Sequence, residues 1–298
     1  MSNSWRKPLA IFVLVATAVL TVFYLHRNPD VITAIGHIPP ALFIVLLLLY
    51  GVMMAVLALV FLSTTMLAGY RMPTRESLLV TAYSAIVNFF GPLQSGPAFR
   101  AVYLRDRHHV KLKNYTAATL LYYLFFAIFS GIALLYGVLH WWLIPAVLAG
   151  CLLLYLVWRS DIAPVRPIKR LHFGGLGLLL LASLLQVVVG TFIYYAELRH
   201  VDPGVHFSQA VIYTGAANFS LFVSITPGAI GFREAFLLFS RNLHHISAQS
   251  IVAASLIDRA MYLVVLGILA VFIFGSHAER RLRGGSATKN DATPPTLS

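Results

Sequence analysis

The residues best suited to chemistry form two adjacent charged pairs in an otherwise apolar chain, Arg233-Glu234 and Asp258-Arg259. A guanidinium near a helix N-terminus attracts an anion such as a lipid phosphate, because the unpaired N–H groups there carry partial positive charge. Asp258 lies about eight residues, roughly 12 Å, into the apolar stretch that begins near residue 250. Charges at that depth usually face a cavity or a partner. Asp258 could pair with Arg233 and Arg259 could bind a headgroup, or the pair could be a structural link between helices.

An apolar run is broken just before Arg233, where proline and glycine interrupt the helix pattern. Proline lacks a backbone N–H and glycine adopts conformations that other residues resist, so we expect no straight helix through Thr226-Pro227-Gly228. A similar but weaker proline-glycine break occurs earlier, in NFFGPLQSGPAFRAVYLR from residue 88 to 105. Inside a membrane such breaks must be buried in protein or line a watery cavity, which is typical of transporters.

We predict that substrate contacts lie at and just after these two breaks and in the apolar stretch that contains Asp258 and Arg259. They are Gln94, Ser95, Gly96, Arg100, Pro227, Gly228, Gly231, Arg233, Glu234, Asp258 and Arg259. Arg100 and Arg233 have similar positions after their breaks. Anchoring at the membrane interface is the alternative for each arginine taken alone.

Other polar residues carry weaker signals. Gln186 suits either a cavity lining or polar packing between helices. His108-His109 and His244-His245 each follow a break, but no cysteine or carboxylate cluster accompanies them, so we predict no metal site. The sequence contains no phosphate-cradling loop, nucleophile elbow or dinucleotide fingerprint. We therefore expect no cofactor and no ATP-driven transport by this chain alone.

The composition indicates that membrane helices position these residues. Of 298 residues, 59% are hydrophobic and only 11% are charged, which excludes a soluble protein of this length. The sole cysteine, Cys151, excludes an internal disulfide. The basic N-terminus is similar to a signal peptide, but its apolar run continues to Leu25, so we interpret it as an uncleaved first helix. We predict one membrane-embedded domain, 1–275, followed by a disordered basic tail, 276–298.

Six stretches are long and apolar enough to span a bilayer. They are residues 8–25, 40–62, 117–139, 141–158, 173–198 and 250–274. Two shorter stretches, 77–92 and 209–226, each end at a break and either span the membrane or re-enter it. If both re-enter, the basic loops 98–116 and 159–172 and both termini lie on the cytoplasmic side, in agreement with the positive-inside rule. We therefore predict two re-entrant segments in an all-α polytopic fold.

This topology contains an internal repeat. Residues 40–139 and 173–274 each comprise a spanning helix, a break and a second spanning helix, and the Pro-xxx-Gly of the two breaks is separated by 135 residues. The first unit starts outside and the second inside, so the repeats are inverted, as in alternating-access transporters. Chance regularity of helix spacing is the alternative. Tyr122-Tyr123 stand where the second unit has its membrane-embedded charged pair, so any charged site is asymmetric.

Two motifs, TPGAIGFREA from Thr226 to Ala235 and ASLIDR from Ala254 to Arg259, resemble the lysylphosphatidylglycerol synthase transmembrane (flippase-like) family. This family includes the membrane half of the bacterial multiple peptide resistance factor. The likeness covers residues 8–275. Pro97 departs from it, since the family often has an acid there. The resemblance implies that certain positions match the family's proline-glycine turn, polar pair and membrane arginine: Pro227, Gly228, Gly231, Arg233, Glu234 and Arg259.

The resemblance implies a lipid flippase in the bacterial inner membrane, with both termini cytoplasmic. We expect an anionic phospholipid or polyprenyl-linked glycolipid as cargo, moved by alternating access. The soluble aminoacyltransferase domain of the synthase members is not expected here, so this chain should not make lysyl-lipid itself. A membrane-embedded transferase with Asp258 or Glu234 as base is one alternative. A non-catalytic subunit beside a lipid-modifying enzyme or glycosyltransferase is another; we expect no nucleic-acid partner.

Overall fold

The computed structural model describes residues 38–90, 95–139, 173–223 and 232–290, with isolated positions between 19 and 26. The regular elements within these ranges are helices: α1 (Pro40–Leu67), α2 (Thr74–Phe90), α3 (Ser95–His108), α4 (Leu112–Leu134), α5 (Tyr136–Leu139), α6 (Phe173–Val201), α7 (Phe207–Val223), α8 (Phe232–Phe239), α9 (Arg241–His244) and α10 (Ala248–Asn290). Four stretches among them are long and apolar enough to cross a membrane: Pro40–Leu67, Leu112–Leu134, Gly174–Val201 and Ala248–Ile273. The prediction of an all-α polytopic membrane protein is confirmed.

Four of the six predicted spans correspond to these helices, and the other two, 8–25 and 141–158, lie outside the described residues. The span predicted at 117–139 is displaced, since α4 begins at Leu112 and ends at Leu134. Helix α10 continues to Asn290, within the tail predicted at 276–298. Ala, Glu, Arg and Leu in the sequence HAERRLR are strong helix formers and extend the helix beyond its apolar part.

Two helical hairpins follow the long helices α1 and α6. In the first hairpin (α2–α3), Glu76 near the start accepts hydrogen bonds from Tyr103 and His108 near the end. In the second hairpin (α7–α9), Gln209 near the start donates its Nε2–H to the carbonyl of His244 at 3.0 Å. Each hairpin therefore begins and ends at the same side of the molecule. The break at each tip lies outside the described residues.

The internal repeat is visible in the order of the helices. Those of the first unit begin at 40, 74, 95 and 112, and those of the second begin at 173, 207, 232 and 248. A residue with left-handed backbone conformation also occurs once in each unit, at a similar spacing. His109 (φ 53°) and His245 (φ 55°) are the non-glycine residues of the described chain with left-handed backbone, and each terminates a hairpin. Such a conformation ends a helix, so both hairpins are closed by the same turn.

The two units run in opposite directions. Gly175 at the start of α6 faces Leu67 at the end of α1, whereas Gly190 faces Met53 farther back along α1. The equivalent helices α1 and α6 thus pack antiparallel, which is the relation expected of inverted repeats. Helix α2 packs on α10 and α7 packs on α4, so each hairpin contacts the last helix of the other unit. Because each hairpin packs against a helix of the other unit, the arms of both hairpins lie at the centre of one bundle.

Candidate functional site

Two crossed ion pairs join α8 to α10. Arg233 Nη1 lies 2.6 Å from Asp258 Oδ2, and both side chains are only 12% exposed. Arg259 donates to Glu234 Oε1 from Nη2 at 2.5 Å and from Nε at 3.2 Å. Successive residues of a helix point about 100° apart, so neighbouring residues of α8 reach separate partners on α10. Asp258 therefore pairs with Arg233 as predicted, whereas Arg259, which we predicted could bind a headgroup, is bound to Glu234.

The Arg233–Asp258 pair is supported from two further helices. Tyr50 of α1 donates its hydroxyl to Asp258 Oδ1 at 2.6 Å. The guanidinium of Arg233 lies over the ring of Tyr194 of α6, with 5.5 Å between Cζ and the ring centroid. Its Nε and Nη2 are buried and meet no hydrogen-bond acceptor among the described residues. Arg233 thus retains two unused donors beside its ion pair.

Glu197 of α6 is a fifth charged residue at this place. Its side chain is 1% exposed, and neither carboxylate oxygen forms a hydrogen bond within the described part of the chain. It lies within electrostatic reach of Asp258 and Arg233 and next to Tyr50, whose hydroxyl is bound to Asp258. Glu197 was not among the residues predicted from the sequence, although an acid inside an apolar span is itself a signal of function.

The equivalent arginine of the first unit, Arg100 of α3, has a different environment. Its Cζ lies 5.1 Å from the ring centroid of Phe61, and its Nε is buried without a hydrogen-bond partner among the described residues. Its charge acts on the hydroxyls of Tyr115, Tyr122 and Tyr123. No described acidic side chain forms an ion pair with it. The charged site is therefore asymmetric, as the tyrosine pair indicated.

An aromatic side chain connects the two arginine sites. Tyr262 of α10 lies within electrostatic reach of both Arg100 and Asp258. Its ring centroid is 6.0 Å from that of Tyr50 and 5.5 Å from that of Phe89. Tyr262 thus contacts Phe89 of the first hairpin and Tyr50, which binds Asp258.

The predicted contacts Ser95 and Gly96 instead close the first hairpin. Ser95 Oγ donates to the carbonyl of Val87 at 2.8 Å, and the N–H of Gly96 donates to Asn88 Oδ1 at 3.2 Å. A Cβ at Gly96 would lie 2.8 Å from Ser84 Oγ, so a side chain does not fit there. The other predicted contacts at the breaks lie outside the described residues: Gln94, Pro227, Gly228 and Gly231.

The remaining polar residues singled out by the sequence contribute to helix packing. Gln186 of α6 accepts a hydrogen bond from Tyr122 at 2.9 Å. His244 Nε2 lies 3.1 Å from the carbonyl of Leu237, and its Nδ1 accepts the N–H of Ile246 at 3.2 Å. This arrangement requires a neutral ring, and burial lowers the pKa of His244. Within the described residues no three metal-ligating side chains come together.

The comparison with known families covers both units of the repeat. The model of the lysylphosphatidylglycerol synthase transmembrane region matches residues 9–270. The chain belongs to this family. No curated protein and no solved structure matches the chain. Membership in the lysylphosphatidylglycerol synthase transmembrane family agrees with the four apolar helices, and it indicates an integral membrane protein with a lipid-related function.

Proposed function

We propose that this protein is a lipid flippase that moves an anionic phospholipid or a polyprenyl-linked glycolipid between leaflets by alternating access. We place it in the bacterial plasma membrane with both termini cytoplasmic, and we propose that both hairpins are re-entrant. The inverted order of the two units supports this proposal, because transporters commonly place their binding site where such repeats meet.

The environment of Arg100 is the observation that carries the proposal. A half-buried guanidinium with no acidic partner among the described residues is costly in a membrane protein unless a bound anion neutralises its charge. Its fixed fork of donors matches the oxygens of a phosphate. Tyr115 of α4, on whose hydroxyl the charge of Arg100 acts, is a further donor, since a phenolic O–H can bind the same group.

The two arginines then have different roles. Asp258 already neutralises Arg233, so a phosphate would have to displace that carboxylate to reach it. Arg100 requires no such displacement. We therefore assign the lipid phosphate to the first hairpin, and we assign the crossed ion pairs to the linkage between the second hairpin and α10.

The transferase alternative has less support. Its candidate bases were Asp258 and Glu234, and each accepts hydrogen bonds from an arginine. A carboxylate held in an ion pair would have to leave its arginine before it could take a proton from a substrate. We therefore propose no enzymatic activity for the described site.

Leaflet exchange tests the proposal directly. The full chain would be reconstituted in vesicles containing fluorescent phosphatidylglycerol, and exchange would be measured as lipid that becomes accessible to a membrane-impermeant quencher. Arg100→Leu should reduce exchange by about 10-fold to 100-fold, the value of roughly 1.5–3 kcal/mol for a charge-assisted hydrogen bond. Arg100→Lys keeps the charge but loses the two-pronged contact, so its rate should be intermediate.

The matched control is Arg105→Leu, on the same helix, because Arg105 is 54% exposed and pairs with Asp106. It should exchange lipid at the wild-type rate. Normal exchange by Arg100→Leu at normal protein levels would remove Arg100 as the phosphate site. Chemical conversion of the headgroup, without exchange, would favour a transferase instead.

A further inference from the structure

We infer that Glu197 is a membrane-embedded proton-binding site and that its proton is exchanged during each transport cycle. This inference rests on the proposed lipid transport and adds an energy source to it. The driving ion would be a proton, taken up and released by the carboxyl group of Glu197.

The first argument is a count of charges. Two arginines and three acids come together where α6, α8 and α10 meet, and four of these residues form the two crossed ion pairs. Glu197 is the acid left over. An ionised carboxylate at 1% exposure, beside a Tyr50 hydroxyl that is already donated to Asp258, would carry a large desolvation cost. A protonated Glu197 leaves the whole group of five residues neutral.

The second argument is that Arg233, whose charge acts on Glu197, has donors to spare. Arg233 uses Nη1 for Asp258, while its Nε and Nη2 remain buried without an acceptor among the described residues. Glu197 has two oxygens without donors. When the carboxyl O–H bond breaks and its proton passes to water, the carboxylate can accept both N–H groups of Arg233. Two unpaired donors and two unpaired acceptors would then satisfy each other.

The groups that face Glu197 make this exchange a conformational event. They come from five helices: Tyr50 of α1, Tyr213 of α7, Arg233 of α8, Asp258 of α10 and Tyr194 of α6 itself. Only Arg233 carries a positive charge. Since Arg233 is in the first turn of α8, a move of its backbone toward Glu197 displaces this arm of the second hairpin relative to α10. Proton release would therefore shift the element that we propose re-enters the membrane.

The site has no counterpart in the first unit. Residue 64, which lies 133 positions before Glu197, is Thr64, and its hydroxyl donates to the carbonyl of Phe61. A threonine does not exchange protons in this pH range. The asymmetry therefore separates two tasks, with an anion site at Arg100 and a proton site at Glu197.

Infrared spectroscopy of the reconstituted full chain tests the proton site without any transported lipid. The wild type should show the C=O band of a protonated carboxylic acid, which disappears as the pH is raised. Glu197→Gln should lack this band. Glu76→Gln should keep it, because Glu76 is hydrogen-bonded to His108 and Tyr103 at the end of the first hairpin.

A pH gradient across the same vesicles tests the coupling. With one proton per lipid, one pH unit should change the equilibrium leaflet ratio of fluorescent phosphatidylglycerol about tenfold. Glu197→Gln should remove this response, and Glu76→Gln should not. A wild type that exchanges lipid but ignores the gradient would overturn the coupling and leave the flippase intact. A titrating band lost in Glu197→Gln, with no lipid exchange by the wild type, would instead overturn the flippase and leave the proton site.

A second variant covers the case in which Glu197→Gln fails to accumulate. Glu197→Asp keeps an acid with a shorter side chain, so the carboxylic band should move in frequency. An unchanged band in Glu197→Asp would assign the proton to another residue and overturn the inference.

Discussion

Replacing the adjacent residues Asp258 and Arg259 of α10 by leucine should destabilise the protein far more than replacing both members of one ion pair. The double variant Asp258→Leu with Arg259→Leu removes two adjacent residues of opposite charge and leaves the net charge unchanged. It nevertheless breaks both crossed pairs, so that Arg233 loses Asp258 and Glu234 loses Arg259. The double variant Asp258→Leu with Arg233→Leu removes one pair as a unit and leaves the other intact.

The expected losses of folding stability follow from the burial of these charges. Breaking one buried ion pair costs about 3–5 kcal/mol, whereas replacing both members by apolar residues is often neutral. Asp258, Arg233 and Arg259 are at most 12% exposed and Glu234 is 21% exposed, so solvent screens these charges little. Two broken pairs would cost roughly 6–10 kcal/mol. If Glu197 loses its proton and binds Arg233, the cost falls to about 3–5 kcal/mol for the remaining pair.

Unfolding in mixed micelles of mild detergent and dodecyl sulfate, followed by far-ultraviolet circular dichroism, would measure the difference. The control is Arg105→Leu with Asp106→Leu, an adjacent pair that is about half exposed and should matter little for stability. The adjacent variant on α10 should unfold at clearly lower dodecyl sulfate than the complete-pair variant. Equal unfolding midpoints for these two double variants would refute the crossed pairing.

Three further outcomes are expected. Stability should fall as the pH is lowered through the ordinary pKa of histidine, because burial lowers the pKa of His244 and only its neutral ring fits; His244→Gln should remove this dependence in the same unfolding assay. Gly215→Ala should destabilise the protein by about 1–3 kcal/mol, since a Cβ there would lie 2.3 Å from a backbone nitrogen of α4, while Gly51→Ala meets no atom within 4 Å and should be tolerated. A cysteine at Asn114, in a Cys151→Ala background, should resist an impermeant thiol reagent added outside if the first hairpin re-enters from the cytoplasm, and strong labelling would exclude that topology.

Several levels of the architecture could be predicted from the sequence because the signals are local. A span is recognised by some twenty apolar residues in a row, and a break by proline and glycine, whatever lies around them. The repeat could be predicted as well, since its units keep nearly constant spacing along the chain. Helix ends were less predictable. The displaced start of α4 follows the left-handed turn at His109, a backbone conformation that is uncommon for any residue other than glycine.

The charged residues of the second hairpin and α10 could be identified as important from their depth in an apolar stretch. Their partners could not, because a partner depends on how each helix is rotated about its axis. A rotation of α8 by one residue, about 100°, would place Glu234 instead of Arg233 against Asp258 and break both ion pairs. Tyr50 contacts Asp258 across 208 positions of sequence, and no local pattern encodes such a contact.

The sequence by itself determined that this chain is an all-α membrane protein with an inverted repeat, since hydrophobic length and helix-breaking residues act locally. The tertiary structure alone decided which charges neutralise each other and which remain. It leaves Arg100 without an acid and Glu197 without a hydrogen bond among the described residues. The physical reason is that an ion pair requires two side chains within about 4 Å. That distance is set by the packing of helices from both repeats.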